Sequence, residues 1–288
     1  MQPIATRPRE FPLDVRLLEP RDIPAAMCLK QAAGWNQTEA DWARLLDLQP
    51  DGCFALEQNG ALAATATALV YGADLAWIGM VLTAPEHRGQ GFARTLMAEA
   101  MAYAQASAAA QVGLDATEMG IALYQRFGFE QECLVERWGR PAPLLPLPTS
   151  PIATVPWNPD PELDANAFPA DRLRLLAHLA AEGESAGIAG SAYAMGRPGS
   201  QAAYFGPCVA KSPATAERLL HWFLAVHPHE AVYWDLLPEN PEAVRLAQRN
   251  GFRPLRRLTR MKYTLRRDAR TRRSDSSLVF AIAGLELG

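Results

Sequence analysis

The sequence predicts a mixed α/β protein whose plan is laid down twice along one chain. Three observations carry that expectation. Short apolar runs alternate with amphipathic helical patterns through the 288 residues. A strand, a turn with two glycines and a helix follow one another around residue 90. After a proline-rich stretch part of the element order returns, with Gly128-Phe129 matched by Gly251-Phe252; nine residues beyond each glycine stands an arginine, Arg137 and Arg260.

Taken in order, residues 13–18 alternate as a first strand. Residues 22–34 read as a helix with Asp22 at the N-cap, and residues 39–48 as a second, apolar at Trp42, Leu45 and Leu46. Residues 53–58 and 61–70 read as a hairpin across the Asn59-Gly60 turn. A strand at 76–83 then enters the glycine turn and a helix. A buried strand ending at Asp115 and a short helix stopped by Gly128 close the first copy. Prolines at 141, 143, 146, 148, 151, 156, 159 and 161 forbid helix interiors and central strands, so residues 141–163 read as an extended linker. Beyond it come a helix at 171–186, strands at 187–195 and 202–210, a helix at 213–226, a strand at 231–237, a helix at 240–250 and a strand at 278–285. The expected organisation is a domain over residues 1–140, the linker, and a second domain over 164–288.

The turn at Arg88-Gly89-Gln90-Gly91-Phe92-Ala93 carries the chemistry. Glycine lets backbone approach a ligand without a Cβ in the way. The helix that follows opens with N–H groups lacking intrahelical acceptors, and its dipole favours negative charge there. A strand running into such a turn is an anion cradle, with a phosphate or pyrophosphate as the expected anion. The Walker loop is excluded because Gly91 is followed by Phe92 and Ala93 rather than Lys-Ser/Thr. The dinucleotide fingerprint is excluded because the third glycine is missing.

What remains resembles the acetyl-CoA loop of the GCN5-related N-acetyltransferases, the GNAT superfamily, whose signature Gln/Arg-x-x-Gly-x-Gly/Ala is met by Arg88, Gly91 and Ala93. The stretch Leu123-Tyr124-Gln125-Arg126-Phe127-Gly128-Phe129 resembles the ending of the same fold. The resemblance implies, for each copy, a twisted mixed sheet flanked by helices. It implies that the strand at Val81, Leu82 and Thr83 binds the pantetheine arm of acetyl-CoA and that the amides of Arg88, Gly89, Gln90, Gly91, Phe92 and Ala93 hold its pyrophosphate. It implies that Tyr124 protonates the departing thiolate, a task suited to a phenol that stays neutral until high pH. Many members place Asn seven residues before that tyrosine to contact the cofactor; here the position is Thr117. The second copy has Lys211-Ser212-Pro213 where the first has its glycine turn and Ala247 where the first has Tyr124, while Asn240 and Ala243 keep the family's helix start. It therefore reads as a degenerate copy.

The activity implied is transfer of the acetyl group of acetyl-CoA to a primary amine of a small molecule, amino acid or peptide by direct attack. The alternative is a non-enzymatic acyl-CoA-binding sensor or scaffold. A base must take the proton of the ammonium substrate. The family often supplies a glutamate from the strand before the cradle, and residues 76–83 contain no acid. Asp115 is the leading candidate, with a cap of the next helix as its other reading. Trp35 is expected either to line the acceptor pocket or to pack in the core. The second half either covers that pocket or builds a homodimer; the sequence leaves both open.

A net charge of −3 argues against a general nucleic-acid binder, and the arginines at 266, 267, 270, 272 and 273 read as a solvated linker. Four scattered cysteines without a Cys-x-x-Cys pair suit reduced thiols in a cytoplasmic protein and give no zinc site. His221, His227 and His229 lack the spacing of metal ligands. No signal peptide is read at the N-terminus, and the apolar run at 278–285 is too short to span a bilayer. Neither a metal nor a membrane partner is expected.

Overall fold

The computed structural model describes residues 14–143, 154–158, 160–266 and 274–288. Parts of the proline-rich stretch and of the arginine run lie outside the described residues.

In the first half, β1 (Asp14–Leu17), α1 (Ile23–Ala32) and α2 (Glu39–Leu48) precede the antiparallel strands β2 (Cys53–Gln58), β3 (Ala61–Tyr71) and β4 (Leu75–Thr83). Helix α3 (Phe92–Ala106), β5 (Gln111–Ala116), α4 (Glu118–Arg126) and β6 (Glu130–Arg140) complete it. The second half has α5 (Pro161–Ala167), α6 (Leu173–Glu182), β7 (Glu184–Ile188), β8 (Ala192–Arg197), β9 (Ala203–Ala210), α7 (Pro213–Val226), β10 (Val232–Leu236), α8 (Pro241–Arg249), β11 (Arg253–Thr264) and β12 (Val279–Ala281). The fold is mixed α/β, and the order of strands and helices in the two halves follows the same plan from β2 and β7 onward. The repeat extends to detail: after α4 the N–H of Phe129 donates to the carbonyl of Tyr124, and after α8 that of Phe252 donates to Ala247.

The two halves share a single 12-stranded sheet in the order β1-β2-β3-β4-β5-β11-β6-β10-β9-β8-β7, with β12 against β9. The last long strands have changed places. β11 of the second half lies beside β5 of the first, and β6 of the first lies beside β10 of the second, all antiparallel. Each exchanged strand carries one of the arginines of the repeat, and each arginine faces an aspartate of the other half. Arg260 sits opposite Asp115 and donates to both of its carboxylate oxygens at 2.9 Å. Arg137 sits opposite Asp235 and does the same at 2.7 and 2.6 Å. These bidentate pairs are buried, so removing either partner would strand a charge away from water.

Alternation and helical spacing explain most elements. Helix α3 buries Phe92, Leu96, Met97, Ala100, Met101 and Ala104 against β2–β4, at i, i+4, i+5, i+8 spacing. Helix α7 does the same in the second half with Ala216, Leu219, Leu220, Phe223 and Leu224.

Several expectations differ from the structure, among them the strand at 278–285, which is paired only over Val279–Ala281. Asp22 precedes α1 without a side-chain cap bond to it; it accepts from Arg16 at 2.7 and 2.8 Å and from the Glu19 N–H, which closes the preceding 3₁₀ turn. The helix expected over 171–186 ends at Glu182, because residues 184–188 pair with β8 as a strand. The expected strand at 187–195 is accordingly a hairpin of β7 and β8. Residues 161–163, assigned to the linker, begin α5: Pro161 occupies the first turn, where its missing N–H costs nothing, and Asp160 caps the Leu163 N–H.

Candidate active site

Strands β4 and β5 run parallel and pair only at Leu75–Trp77 against Gln111–Gly113. Beyond that point they part. Between Gly79 and Leu82 strand β4 carries one residue more than β3 opposite it, a β-bulge at which Met80 takes φ 49° and the Thr65 hydroxyl donates to the Met80 carbonyl at 2.8 Å. The edge of β4 facing β5 at Met80–Thr83 therefore meets no strand. Val81 and Thr83 are half-buried there and Leu82 packs into the core.

At the end of β4 comes a 3₁₀ turn (Pro85–His87) and then the glycine turn. The Arg88 N–H donates to Pro85 at 3.3 Å. The N–H groups of Gly89, Gln90, Gly91, Phe92, Ala93 and Arg94 have no acceptor within the protein among the described residues. Helix α3 has no side-chain cap, and its N-cap Gly91 holds φ 89°. A Cβ at Gly91 would touch nothing within 4 Å. The requirement for glycine here is thus the left-handed backbone, which turns successive N–H groups outward, and not crowding within the protein. The Phe92 ring is buried and stacks on His87 at 5.3 Å; the Arg88 side chain is exposed.

The corresponding positions of the second half are closed. Ser212 caps α7 through the Thr215 N–H and Pro213 removes another donor. The free edge of β9 is occupied by the chain itself: β12 pairs with Val209 and Cys208, and the Ile282 N–H donates to the Asp235 carbonyl. Asn240, the counterpart of Thr117 seven residues before Ala247, donates to the carbonyls of Ser277 and Val279 at 3.0 Å. The second half's slot is filled by its own backbone.

Having filled that slot, the chain crosses to the first half. The Trp77 indole donates to the Leu285 carbonyl at 3.0 Å and the Tyr71 hydroxyl to the Leu287 carbonyl at 2.6 Å. At Gly79 a Cβ would stand 2.9 Å from the backbone of Glu286, so glycine on β4 is what admits the tail. Glu286 is 3% exposed; its carboxylate accepts from Arg197 at 3.2 Å and from the Gln37 amide at 2.9 Å. Arg197 also donates to Asp41 at 3.2 Å.

A cavity of about 60 Å³, partly open to solvent, lies where β4 and β5 part, lined by Met80, Val81, Asp115, Thr117, Tyr124, Trp35, Gln37, Arg256 and Glu286. It unites residues of both halves. Tyr124 is buried against Phe129, and burial pushes its phenol up to about 12. Its hydroxyl has no protein partner among the described residues. Trp35 is half-buried on a loop stitched to the second half: Asn36 accepts from the N–H groups of Gln201 and Ala202, and Lys30 donates to Ser200 at 2.5 Å. Asp115 reaches the cavity wall, but its side chain is 0% exposed and both oxygens are taken by Arg260; burial raises its carboxyl against the opposing pull of that guanidinium. Its counterpart Asp235, in the half without the glycine turn, makes the same pair. Sequence reasoning missed Gln37, Arg256 and Glu286. The only available signal for Glu286 was an acid set in an apolar C-terminal run.

Among the described residues no group of His, Cys, Asp and Glu could hold a metal ion, and no helix is long and apolar enough to cross a membrane. His221 bonds Asn250, and His227 bonds Glu230 and packs on Phe223.

The site combines a splayed parallel pair, a bulged strand and an uncapped helix N-terminus. Residues 24–129 match the Acetyltransferase (GNAT) family and residues 161–278 the Acetyltransferase (GNAT) domain. The chain belongs to the GNAT acetyltransferases, as a tandem member with two domains of that fold; acyl transfer from acetyl-CoA is the general chemistry of the family. A proposed acetyltransferase from Pyrococcus horikoshii is similar over 100% of this chain and 99% of its own, with 18% identity and a TM-score of 0.84. A GCN5-related N-acetyltransferase from Sphaerobacter thermophilus is similar over 92% and 98%, with 17% identity and a TM-score of 0.65. A tandem GNAT protein from the clavulanic acid biosynthesis pathway is similar over 89% and 100%, with 16% identity and a TM-score of 0.60. No curated protein matches the sequence.

Proposed function

We propose that this protein is an acetyl-CoA-dependent N-acetyltransferase for a small primary amine, with its working site in the first half and its acceptor pocket completed by the second. The observation that carries this reading is the run of six peptide N–H groups, Gly89 to Arg94, left without acceptors beside the free edge of β4. Peptide donors so arranged suit a diphosphate, and the edge at Val81 and Thr83 suits the amides of a pantetheine arm. Thr117 lines the same cavity with a hydroxyl in place of the family's asparagine amide.

In the reaction a neutral amine attacks the thioester carbonyl and the CoA thiolate leaves. Much of the rate comes from holding the two reactants in line. Tyr124, raised to about 12, keeps its proton at neutral pH and is the donor to the thiolate. For the proton of the incoming ammonium we assign Glu286 rather than Asp115. A carboxylate offers about four acceptor sites; Arg197 and Gln37 take one each, leaving Glu286 capacity toward the cavity. Asp115 is committed to Arg260 and is explained by the strand exchange.

Calorimetric titration of the full chain with acetyl-CoA, followed by thiol release with a panel of amines, tests the proposal. Saturable binding and turnover of at least one amine are expected. Absence of binding removes the site; binding with no turnover on any amine replaces the enzyme with an acyl-CoA sensor.

A further inference from the structure

Arg256 is the cationic side chain in the lining of this cavity, and the proposed chemistry does not use it. It stands on the exchanged strand β11, just past a register shift between Pro254 and Arg256, and so enters the acceptor pocket from the second half. Its neighbours on that strand are all engaged: Arg257 with Glu136 at 2.8 Å and Arg260 with Asp115. Arg256 has no ion pair or hydrogen bond among the described residues, and its Nε is buried without a partner. The acid whose charge reaches it, Asp235, gives both oxygens to Arg137. Burial and the nearby Arg137 guanidinium press the Arg256 pKa downward, and the opposing pull of Asp235 and Tyr233 does not offset them. A half-buried guanidinium kept without an acid is costly unless something from outside completes it.

The same lining also holds groups of complementary character. Glu286 brings a carboxylate, and the Gln37 Oε1 is a buried acceptor with no donor. One small cavity is thus lined both by acceptors for an ammonium and by an unpaired planar donor fork. Guanidinium forks match carboxylates and phosphates bidentately.

We propose that Arg256 is the anion-recognition residue of the acceptor pocket and that the acceptor is a small amine that also bears an acidic group, a carboxylate or a phosphate. This rests on the acetyltransferase reading above and narrows its substrate class.

The test is a set of matched acceptors: an amino acid with its primary amide and its decarboxylated amine, and a phosphorylated amino alcohol with its parent. Thiol release gives kcat and KM for the full-length wild type, Arg256→Gln and Arg256→Lys. A site built to pair an anion discriminates strongly against acceptors lacking it, so the wild type should favour the acidic member of one pair by roughly tenfold or more in kcat/KM. The pair that shows the preference distinguishes carboxylate from phosphate. In Arg256→Gln that ratio should fall to within about twofold, chiefly through KM, with part of it kept in Arg256→Lys. A wild-type ratio near one, or an Arg256→Gln loss equal for both members of each pair, overturns the inference while leaving the acetyltransferase reading intact. If no member is acetylated, that reading falls, and calorimetry of the acidic amines on CoA-loaded protein decides the anion site separately: saturable binding weakened in Arg256→Gln upholds it, and no binding overturns it.

Discussion

Replacing Glu286 by glutamine separates the proton-acceptor assignment from every structural role of the tail. The side chain keeps its size. Its amide oxygen can still accept from Gln37 or Arg197, and Arg197 retains Asp41 at 3.2 Å and the Ala283 carbonyl at 2.9 Å. The structural loss is therefore one charge-assisted hydrogen bond, about 1.5–3 kcal/mol, which for a chain of this size is a fall of only a few degrees in Tm. Loss of a positioned proton acceptor is a different scale, about 10²–10⁴ in rate. At pH 7, Glu286→Gln should thus be folded, bind acetyl-CoA and lose at least a hundredfold in kcat, on the order of 3 kcal/mol in barrier. Raising the pH should recover the variant by roughly tenfold per unit until the free amine itself is deprotonated, because the substrate then arrives without the proton the carboxylate would have taken. The assay is thiol release against pH at saturating amine, with a thermal melt of the same preparation. A kcat within twofold of wild type at pH 7, or a deficit that does not shrink at high pH, refutes the assignment.

Asp115→Asn and Asp235→Asn should each strand a buried arginine and destabilise the protein by about 3–5 kcal/mol, to similar extents in urea unfolding; a harmless change at either position would break the equivalence drawn between them. Gly91→Val must hold a β-branched residue at φ 89° or move the turn, at a cost of about 1–3 kcal/mol, so acetyl-CoA affinity should fall roughly 5- to 150-fold by calorimetry. Unchanged affinity would misplace the diphosphate. Tyr124→Phe should lower kcat far more than it alters acetyl-CoA binding, and an unaltered rate removes the phenol as the acid. The same variant has a stability signature. The folded phenol titrates near 12 and an unfolded one near 10, so its contribution is fully present below pH 10 and is lost as pH rises through 12. By pH 11 wild type should have lost about 1.4 kcal/mol more than Tyr124→Phe, relative to pH 9. Parallel stability–pH curves would contradict the burial of that hydroxyl.

The local parts of this site were legible in the sequence, because they depend on backbone rules within a few residues. The glycine turn, the uncapped start of α3 and the stop of α4 at Gly128 follow from φ preferences and unpaired N–H groups near one another in the chain. The capped start of α7 was equally readable from Ser212-Pro213. What could not be read is the pairing of distant segments. Residues 130–140 and 253–264 form strands that no regular alternation announced, and nothing local says whether each lies against its own half or the other. Asp115 offered itself as a base because its partner Arg260 lies 145 positions away. Glu286 was hidden similarly, meeting Gln37 across 249 positions and owing its place to a tail that leaves one half to enter the other. The α6 boundary failed for another reason: the Ala- and Glu-rich run ends at Gly183, a helix stop that was read through, and residues 184–188 pair as a strand.

The interchange of β6 and β11 bears on how such a chain could have aged. A duplicated enzyme whose copies merely sat side by side could discard the idle one. Here the second copy furnishes a neighbour of β5, shares both crossed aspartate–arginine pairs, and brings a carboxylate to the cavity of its sibling. Clipping the polypeptide between residues 144 and 153 would leave the fragments interlocked like clasped hands, and producing residues 1–143 alone would leave β5 and β6 without the strand that stands between them. A chain laced in this way depends on the framework of both halves, whatever either half does on its own.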